Sequence, residues 1–322
     1  MRDARRRRLV EVAEMYHLDG RSMLDIARET GLSRSTVSRM LRQAIESGVV
    51  EVTVHSTELV SDDLARRLRD AHGVDVDVVV VPDDVTGIAR LDEIAQHGAQ
   101  RLTEVFGGEM TLVVPWGTSV AAVARQLTPR RAPGSRVVQL NGSGNTFTSG
   151  LTYAAGIFSL FGAAFGSSVH PFPVPAFFDR AETKAAMWQE RSLARVISLQ
   201  RNADVALFSV GSLGSEVPGH LYRAGYLERA DLDDLREHGV VGDLGSVFLR
   251  ADGTSDGIAL NERTSGMPIE DLRRVPRRIL VATGRAKAQA VRAALLARAV
   301  TDLVVDDHLA QAVVDLDRTT RR

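Results

Sequence analysis

Five short polar stretches, each following apolar residues, hold the side chains of this sequence that are most suited to binding chemistry. Backbone N–H groups and hydroxyls at the start of a helix bind phosphate or carboxylate, and a lysine adds a compact positive charge. Only two lysines occur among the 40 Lys and Arg residues, and one of them lies in such a stretch. The stretches are Trp116-Gly117-Thr118-Ser119, Asn141-Gly142-Ser143-Gly144-Asn145, Gly211-Ser212-Leu213-Gly214, Gly242-Asp243-Leu244-Gly245 and Thr283-Gly284-Arg285-Ala286-Lys287.

Each stretch also has a purely structural interpretation. Thr118 could cap a helix, Lys287 could be a solvated helix lysine, and Asp243 could either bond sugar hydroxyls or close an Asx turn. No dinucleotide fingerprint is present, because Phe147 takes the third glycine position, and there is no P-loop motif. The absence of Cys excludes thiolate metal sites and a cysteine nucleophile. No His/Asp/Glu spacing indicates a metal or cofactor, and we interpret His170, His220 and the 231–234 acidic run as structural or solvated.

A second set of side chains, near the N-terminus, suits DNA. Residues 22–47 predict two helices joined by a tight turn at Gly31-Leu32-Ser33, with Leu24 and Ala27 facing inward and Ser33 as the second N-cap. The predicted buried face of the second helix is Val37, Met40, Leu41, Ala44 and Ile45. Arginine and hydroxyl side chains at the start of a helix fit the major groove. We predict that the DNA contacts are Arg34, Ser35, Thr36, Ser38, Arg39 and Arg42.

The elements that must hold the polar stretches form an α/β pattern. Apolar strands are predicted at 74–81, 110–114, 136–140, 204–210, 278–282 and 302–305, and helices are predicted between them, including one long helix over 181–200. Fully apolar strands that alternate with helices predict a mostly parallel, doubly wound sheet covered on both faces. The uncharged segment 151–169 favours a buried helix followed by a strand over a membrane span.

Composition and boundaries suggest two domains. Residues 1–55 are predicted to be a winged helix-turn-helix unit whose wing covers 49–54, and residues 56–322 are predicted to be an effector and oligomerisation domain that begins with a connector helix at 56–72. The overall charge of −1 is nearly neutral, but the run Arg5-Arg6-Arg7-Arg8 could either neutralise DNA phosphates or be a solvated tail. No signal peptide is recognisable, so we expect a cytoplasmic protein.

The motifs, taken in order, resemble one bacterial family. GLSRSTVSRML and AIESGVVEVTV are similar to the DNA-binding head of the SorC family of sugar-responsive regulators, and WGTS, NGS, HPFPVPAF, VGSLG, GDLGSVFL, TGRAKAQAV and LVVDDHLA resemble its sugar-binding domain. The resemblance implies a fold like that of sugar-phosphate isomerases and deaminases, a phosphorylated sugar effector and a homo-oligomer, either dimer or tetramer. It implies phosphate contacts from Gly117, Thr118, Ser119 and Lys287, and a sugar site lined by Asn141, Gly142, Gly214 and Asp243.

Three departures from the family pattern and one alternative function accompany this resemblance. Met23 stands where the family often has Gln, Thr283-Gly284 replaces the usual Gly-Gly before the lysine, and Gln139-Leu140-Asn141 is not the commonest form of its stretch. The leading hypothesis is a regulator whose binding to double-stranded operator DNA is controlled by a sugar, polyol or phosphorylated sugar. The alternative is an isomerase- or deaminase-like enzyme with a DNA-binding module. That alternative needs a base at the sugar, for which Asp243 is the one attractive candidate.

Overall fold

The computed structural model describes residues 2–50, 57–212 and 219–320. Gly214 and residues 51–54 of the predicted wing lie outside the described residues. The chain divides into two compact units, residues 1–56 and residues 57–322. Each unit is described by itself.

The N-terminal unit consists of three helices around a small core. They are α1 (Arg2–His17), α2 (Met23–Thr30) and α3 (Arg34–Glu46). Gly31, in the left-handed region at φ +68°, ends α2, and the Ser33 hydroxyl accepts a hydrogen bond from Thr36 N at 3.1 Å as the N-cap of α3. Val12, Ile26 and Val37 are fully buried between the helices. The predicted turn and cap are therefore confirmed.

Two apolar residues predicted to face this core are exposed instead. Leu24 is 50% exposed and Ile45 is 47% exposed. Leu24 lies about 200° around α2 from the buried Ile26, and Ile45 lies at the margin of the stripe formed by Val37, Leu41 and Ala44, since each helical residue turns by about 100°. The predicted buried faces were wrong at these two positions.

The C-terminal unit is built on a seven-stranded sheet in which every pair of neighbouring strands is parallel. Its order is β1-β10-β9-β5-β2-β3-β4, and a separate antiparallel sheet has the order β6-β7-β8. The strands are β1 (Asp75–Val79), β2 (Thr111–Val114), β3 (Arg136–Gln139), β4 (Ser168–His170), β5 (Val205–Phe208), β6 (Val210–Gly211), β7 (Val240–Leu244), β8 (Val247–Arg250), β9 (Arg277–Ala282) and β10 (Asp302–Asp306).

Helices cover both faces of the large sheet. Along β2, Leu112 and Val114 belong to one core cluster and Val113 to the other, as the two-residue period of a strand requires. α5, α6 and α7 pack on the first face, and α4, α14 and α15 pack on the second. The helices are α4 (Thr57–His72), α5 (Gly87–Val105), α6 (Thr118–Gln126), α7 (Leu151–Phe165), α8 (Ala181–Met187), α9 (Arg191–Arg201), α10 (His220–Arg223), α11 (Arg229–Glu237), α12 (Ala259–Arg263), α13 (Ile269–Leu272), α14 (Ala288–Leu296) and α15 (Asp307–Thr320). The predicted α/β class and doubly wound, mostly parallel sheet are confirmed.

Two details differ from the expectation, and a third agrees with it. The long helix predicted over 181–200 is two helices, because the chain turns at residues 188–190. The antiparallel sheet that includes β7 and β8 was not predicted, since the Gly and Asp residues of that stretch resemble a loop. The uncharged segment 151–169 is α7 followed by β4, and no helix among the described residues combines the length and apolar character that a membrane crossing needs.

Candidate functional site

A cavity of about 370 Å³ lies where several strands of the parallel sheet end. Its lining comes from the segments that follow β1, β2, β3, β5 and β9, from the end of β10, from α10, and from the turn between β7 and β8. In parallel sheets such carboxyl ends are the usual place for ligands. Six of the predicted effector residues line this one cavity: Gly117, Thr118, Ser119, Asn141, Asp243 and Lys287.

The first wall of the cavity is the turn from β2 into α6. Gly117 has φ +153°, a value that favours glycine, and its carbonyl accepts the first helical hydrogen bond, from Ala121 N at 2.8 Å. No side chain caps the start of α6, so the N–H groups of its first turn have no side-chain acceptor. Thr118 also forms a hydrogen bond with the Tyr153 hydroxyl. This helix start therefore offers backbone and hydroxyl donors to an anion.

The second wall is the turn that follows β9. It consists of Gly284, at φ +94°, and a single 3₁₀ turn at Arg285–Lys287 that leads into α14. The buried Asp306 carboxylate fixes this turn from the end of β10, because it accepts hydrogen bonds from Gly284 N at 2.8 Å and from Leu309 N at 3.0 Å. Lys287 thus enters the cavity from a backbone position that a neighbouring strand holds in place.

Burial changes the acid–base behaviour of Lys287. Loss of hydration disfavours the charged ammonium and lowers the pKa of Lys287 to about 8, although the nearby carboxylates of Asp243 and Asp306 act in the opposite direction. An anion bound in the cavity would favour the charged form and raise this pKa. The lysine is therefore suited to pair with a ligand anion.

Asp243 forms the floor of the cavity together with the β7–β8 turn. Its carboxylate accepts hydrogen bonds from the Tyr222 hydroxyl at 2.7 Å and from Ser246 N at 3.0 Å, and burial raises the pKa of Asp243. The turn residues Gly245 and Ser246 have φ +55° and +72°, as a two-residue turn between antiparallel strands requires. The Ser246 hydroxyl in turn accepts a hydrogen bond from Asn141 Nδ2 at 2.7 Å.

Gly142, predicted to line the sugar site, is not part of the cavity wall. Its carbonyl accepts a hydrogen bond from Trp116 Nε1 at 2.7 Å, and its N–H donates to Ser265 Oγ at 2.9 Å. A Cβ at this position would lie 2.3 Å from the carbonyl oxygen of Val174. The structure therefore explains this glycine by close backbone packing beside the cavity.

Several residues that line the cavity were not predicted from the sequence. Among the described residues, six buried side-chain atoms have no hydrogen-bond partner, and four of them belong to the cavity wall: Arg90 Nη1, Asn141 Oδ1, Ser209 Oγ and Thr283 Oγ1. Ser209 and Thr283 follow apolar strands, which could have identified them, whereas nothing distinguishes Arg90 from the other arginines. His220, interpreted above as structural or solvated, also lines the cavity, where its ring stacks on Tyr153.

The predicted DNA-contacting face of α3 is largely exposed. Arg34, Ser35, Ser38, Arg39 and Arg42 are exposed, and none of the three arginines forms an ion pair with a described residue. Thr36 is partly buried, because its hydroxyl lies 2.8 Å from Ser33 Oγ in the cap. The arginines are therefore free to contact a negatively charged polymer.

A helix-turn-helix unit with a free arginine face, joined to an α/β unit with a polar cavity, defines a ligand-binding transcriptional regulator. The family model of a sugar-binding domain matches residues 59–315, and that of a winged helix-turn-helix DNA-binding domain matches residues 19–51. The deoxyribonucleoside regulator of Bacillus subtilis is 33% identical over 308 residues, which cover 95% of this chain and 96% of that protein. The chain belongs to the SorC family of sugar-responsive transcriptional regulators.

Two solved structures are similar to this chain. A domain of a possible sugar-binding transcriptional regulator from Arthrobacter aurescens is 43% identical, covers 82% of this chain and 100% of its own, and has a TM-score of 0.75. The full-length sorbitol operon regulator SorC from Klebsiella pneumoniae is 23% identical, covers 96% of this chain and 98% of its own, and has a TM-score of 0.71. The similarity to the Klebsiella pneumoniae structure, at 23% identity, supports the fold of this chain.

The packing at Gly142 leads to a stability prediction. We expect Gly142→Ala to lower the free energy of unfolding by about 2 kcal/mol or more, because the new Cβ meets backbone oxygens that cannot move aside. Gly156→Ala is the matched control, since a Cβ there meets nothing within 4 Å and alanine favours the helix by about 0.5–1 kcal/mol. Urea unfolding of the ligand-free chain measures both. A Gly142→Ala chain as stable as wild type would contradict the packing explanation.

Proposed function

We propose that a phosphorylated sugar occupies the cavity and controls the binding of this regulator to double-stranded operator DNA. The observation that carries this proposal is Lys287, a lysine with a lowered pKa that shares one cavity with the uncapped start of α6. Gly117, Thr118, Ser119 and Lys287 would bind the phosphate. Asn141 and Asp243 would bind sugar hydroxyls, and Gly214, predicted for the same role, lies outside the described residues.

The size of the cavity and the names of the relatives support a small carbohydrate. A volume of about 370 Å³ is near the lower end of ligand pockets, which suits one monosaccharide derivative. One relative is named a deoxyribonucleoside regulator and another a sorbitol operon regulator, so the names point to sugar-containing compounds and polyols but to no single one. We infer the chemical class from the cavity and leave the individual sugar to a ligand screen.

Control of DNA binding follows from symmetry and linkage. A homodimer or homotetramer would present its recognition helices in pairs, and their spacing must match the half-sites of the operator. An effector that binds one arrangement of the subunits more tightly shifts the population toward that arrangement and changes operator affinity. In this proposal Arg34, Ser35, Ser38, Arg39 and Arg42 contact DNA, while Thr36 mainly completes the helix cap.

The alternative function is sugar-phosphate isomerisation or deamination, and one observation favours it. Asp243 has a raised pKa and lies near a lysine with a lowered pKa, an arrangement that acid–base enzymes use. However, the hydrogen bonds that both oxygens of Asp243 accept, from Tyr222 and from Ser246 N, stabilise its charged form and make it a weaker base toward a substrate. Sustained product formation from the sugar phosphate that binds would support the enzyme instead.

A ligand screen tests the proposed effector class. We expect one or more sugar phosphates to raise the melting temperature of the full-length chain and to change its affinity for operator DNA, while the matching unphosphorylated sugars do so far less. Lys287→Met should lower the affinity for the sugar phosphate about tenfold or more, because a charged hydrogen bond is lost. The affinity for operator DNA in the absence of effector should stay unchanged. An unchanged effector response in Lys287→Met would contradict the phosphate role of this lysine.

The lowered pKa of Lys287 predicts a pH dependence of effector binding. In the ligand-free protein, Lys287 loses its proton as the pH rises through about 8. A bound phosphate keeps Lys287 charged, so effector binding above pH 8 is accompanied by the uptake of a proton. Affinity should therefore fall with rising pH at a slope that approaches tenfold per unit. Titration calorimetry at pH 8.5 in two buffers of different ionisation enthalpy measures the proton uptake. The same uptake in Lys287→Met would assign it to another group.

The exposed face of α3 leads to a prediction for DNA. We expect Arg39→Ala to lower discrimination between operator and random DNA by about 1–3 kcal/mol, because an arginine in the major groove bonds a guanine edge. Arg8→Ala, in α1, should lower the affinity for operator and for random DNA about equally. It should also reduce the salt dependence of binding, as the loss of a phosphate contact does. Competition binding at two salt concentrations separates the two effects. An equal loss on both DNAs for Arg39→Ala would make it a phosphate contact.

A further inference from the structure

Arg90 is a buried cation whose hydrogen-bond donors are not all satisfied. It lies in the first turn of α5 and lines the cavity, and its side chain is only 12% exposed. One donor, Nη2, bonds the Pro82 carbonyl at 3.1 Å, but Nη1 has no hydrogen-bond partner. The nearest carboxylate, Asp306, has its Oδ1 3.9 Å from Nη1, which is beyond hydrogen-bond distance.

Asp306 does not satisfy Arg90 Nη1, because its two oxygens are directed to the N–H groups of Gly284 and Leu309 and its Oδ1 stays 3.9 Å from Nη1. The other arginine of the same helix, Arg101, is a contrasting case. Arg101 lies within 4 Å of three aspartates, and its Nε donates to one of them at 3.1 Å. A buried donor without an acceptor is expensive, so the missing hydrogen-bond partner of Arg90 Nη1 calls for a ligand.

The surroundings of Arg90 indicate the chemistry of that ligand. In the sheet order β1-β10-β9, the chain after β1 carries Arg90, β10 ends at Asp306, and Thr283 and Lys287 follow β9. These are consecutive strand ends, about 5 Å apart from one strand to the next. The Thr283 hydroxyl, like Arg90 Nη1, has no partner. A guanidinium, a hydroxyl and an ammonium around one space are donors for a phosphate group.

We propose that Arg90 is a specificity-determining anion contact of this cavity, and that it binds the phosphate group of the effector together with Lys287. The proposal rests on the proposed function and deepens it. Asp306 lies between Arg90 and Lys287 and holds the lysine turn. It accepts no hydrogen bond from Arg90 Nη1, so this donor remains available to a ligand in the cavity. An unphosphorylated sugar would leave Arg90 without an acceptor, which explains how the cavity would reject it.

Inorganic phosphate is the probe that tests this proposal. The full-length chain is titrated with sodium phosphate against sodium chloride of equal ionic strength, and the melting temperature gives the affinity. We expect Arg90→Met to lower the affinity for phosphate about tenfold or more. Arg90→Lys should recover part of this affinity, because lysine keeps the positive charge but lacks the planar guanidinium group. Arg191→Met, at an exposed arginine that starts α9 outside the cavity, should bind phosphate like wild type.

The outcomes separate this inference from the function on which it rests. If Lys287→Met loses affinity for phosphate while Arg90→Met keeps the wild-type affinity, the proposed role of Arg90 is wrong and the proposed effector class stands. If Arg90→Met loses affinity for phosphate while Lys287→Met does not, Arg90 is the anion contact and the proposed role of Lys287 is wrong. A wild-type chain that phosphate does not stabilise more than chloride would overturn both. Arg90→Lys keeps the test valid if Arg90→Met does not fold.

Discussion

The parallel pairing of all seven strands determines where this protein can bind a small molecule. Parallel neighbours must be joined by crossover connections, so every strand of the large sheet ends at the same edge. The strand order brings together segments that are far apart in the chain: Arg90 after β1, Asp306 at the end of β10, Lys287 after β9 and Thr118 after β2. An antiparallel sheet of the same strands would send half of these side chains to the opposite edge.

The distribution of buried polar groups distinguishes this edge from the rest of the unit. At the opposite end of the sheet, the Arg101 guanidinium is surrounded by aspartates and is stabilised by them. At the cavity, Asp243 and Asp306 are held by backbone N–H groups and by Tyr222, while the Arg90 guanidinium and the hydroxyls of Ser209 and Thr283 have atoms without partners. Unmet donors concentrated in one cavity destabilise the empty protein, and a bound ligand with several acceptor oxygens offsets that cost.

The sequence predicted the features that depend on local signals. Gly31 and Ser33 identify the turn and cap of the helix-turn-helix because both act within four residues, and fully apolar runs identify the central strands. The features that were missed depend on tertiary contacts. Arg90 looks like any other arginine until the strand order places it beside Asp306, and Gly142 looks like a ligand-contacting glycine until the packed backbone of Val174 is known. The inward prediction for Leu24 failed because apolar residues occur on more than one side of α2, and only packing against the other helices shows that Ile26 faces the core.

The contacts of α4 connect the start of the C-terminal unit to elements that end at the cavity. This helix follows the N-terminal unit in the chain, and its Leu68 is fully buried in the core of the effector unit. It packs against β1 and α15, and His72 Nε2 lies 2.8 Å from Asp317 Oδ2 of α15. Both of these neighbours have one end at the cavity, because β1 leads into the segment that carries Arg90, and α15 begins directly after Asp306.

A ligand that engages Arg90 or shifts Asp306 therefore acts on the ends of the two elements that hold α4. Arg292 Nε also bonds Asp317 at 2.8 Å, so α14, which follows the lysine turn, is joined to the same contact. α4 cannot move relative to α15 without breaking the bond between His72 and Asp317. Under the proposed regulation, a movement of α4 would therefore involve α14 and α15 as well, since Asp317 contacts both His72 and Arg292.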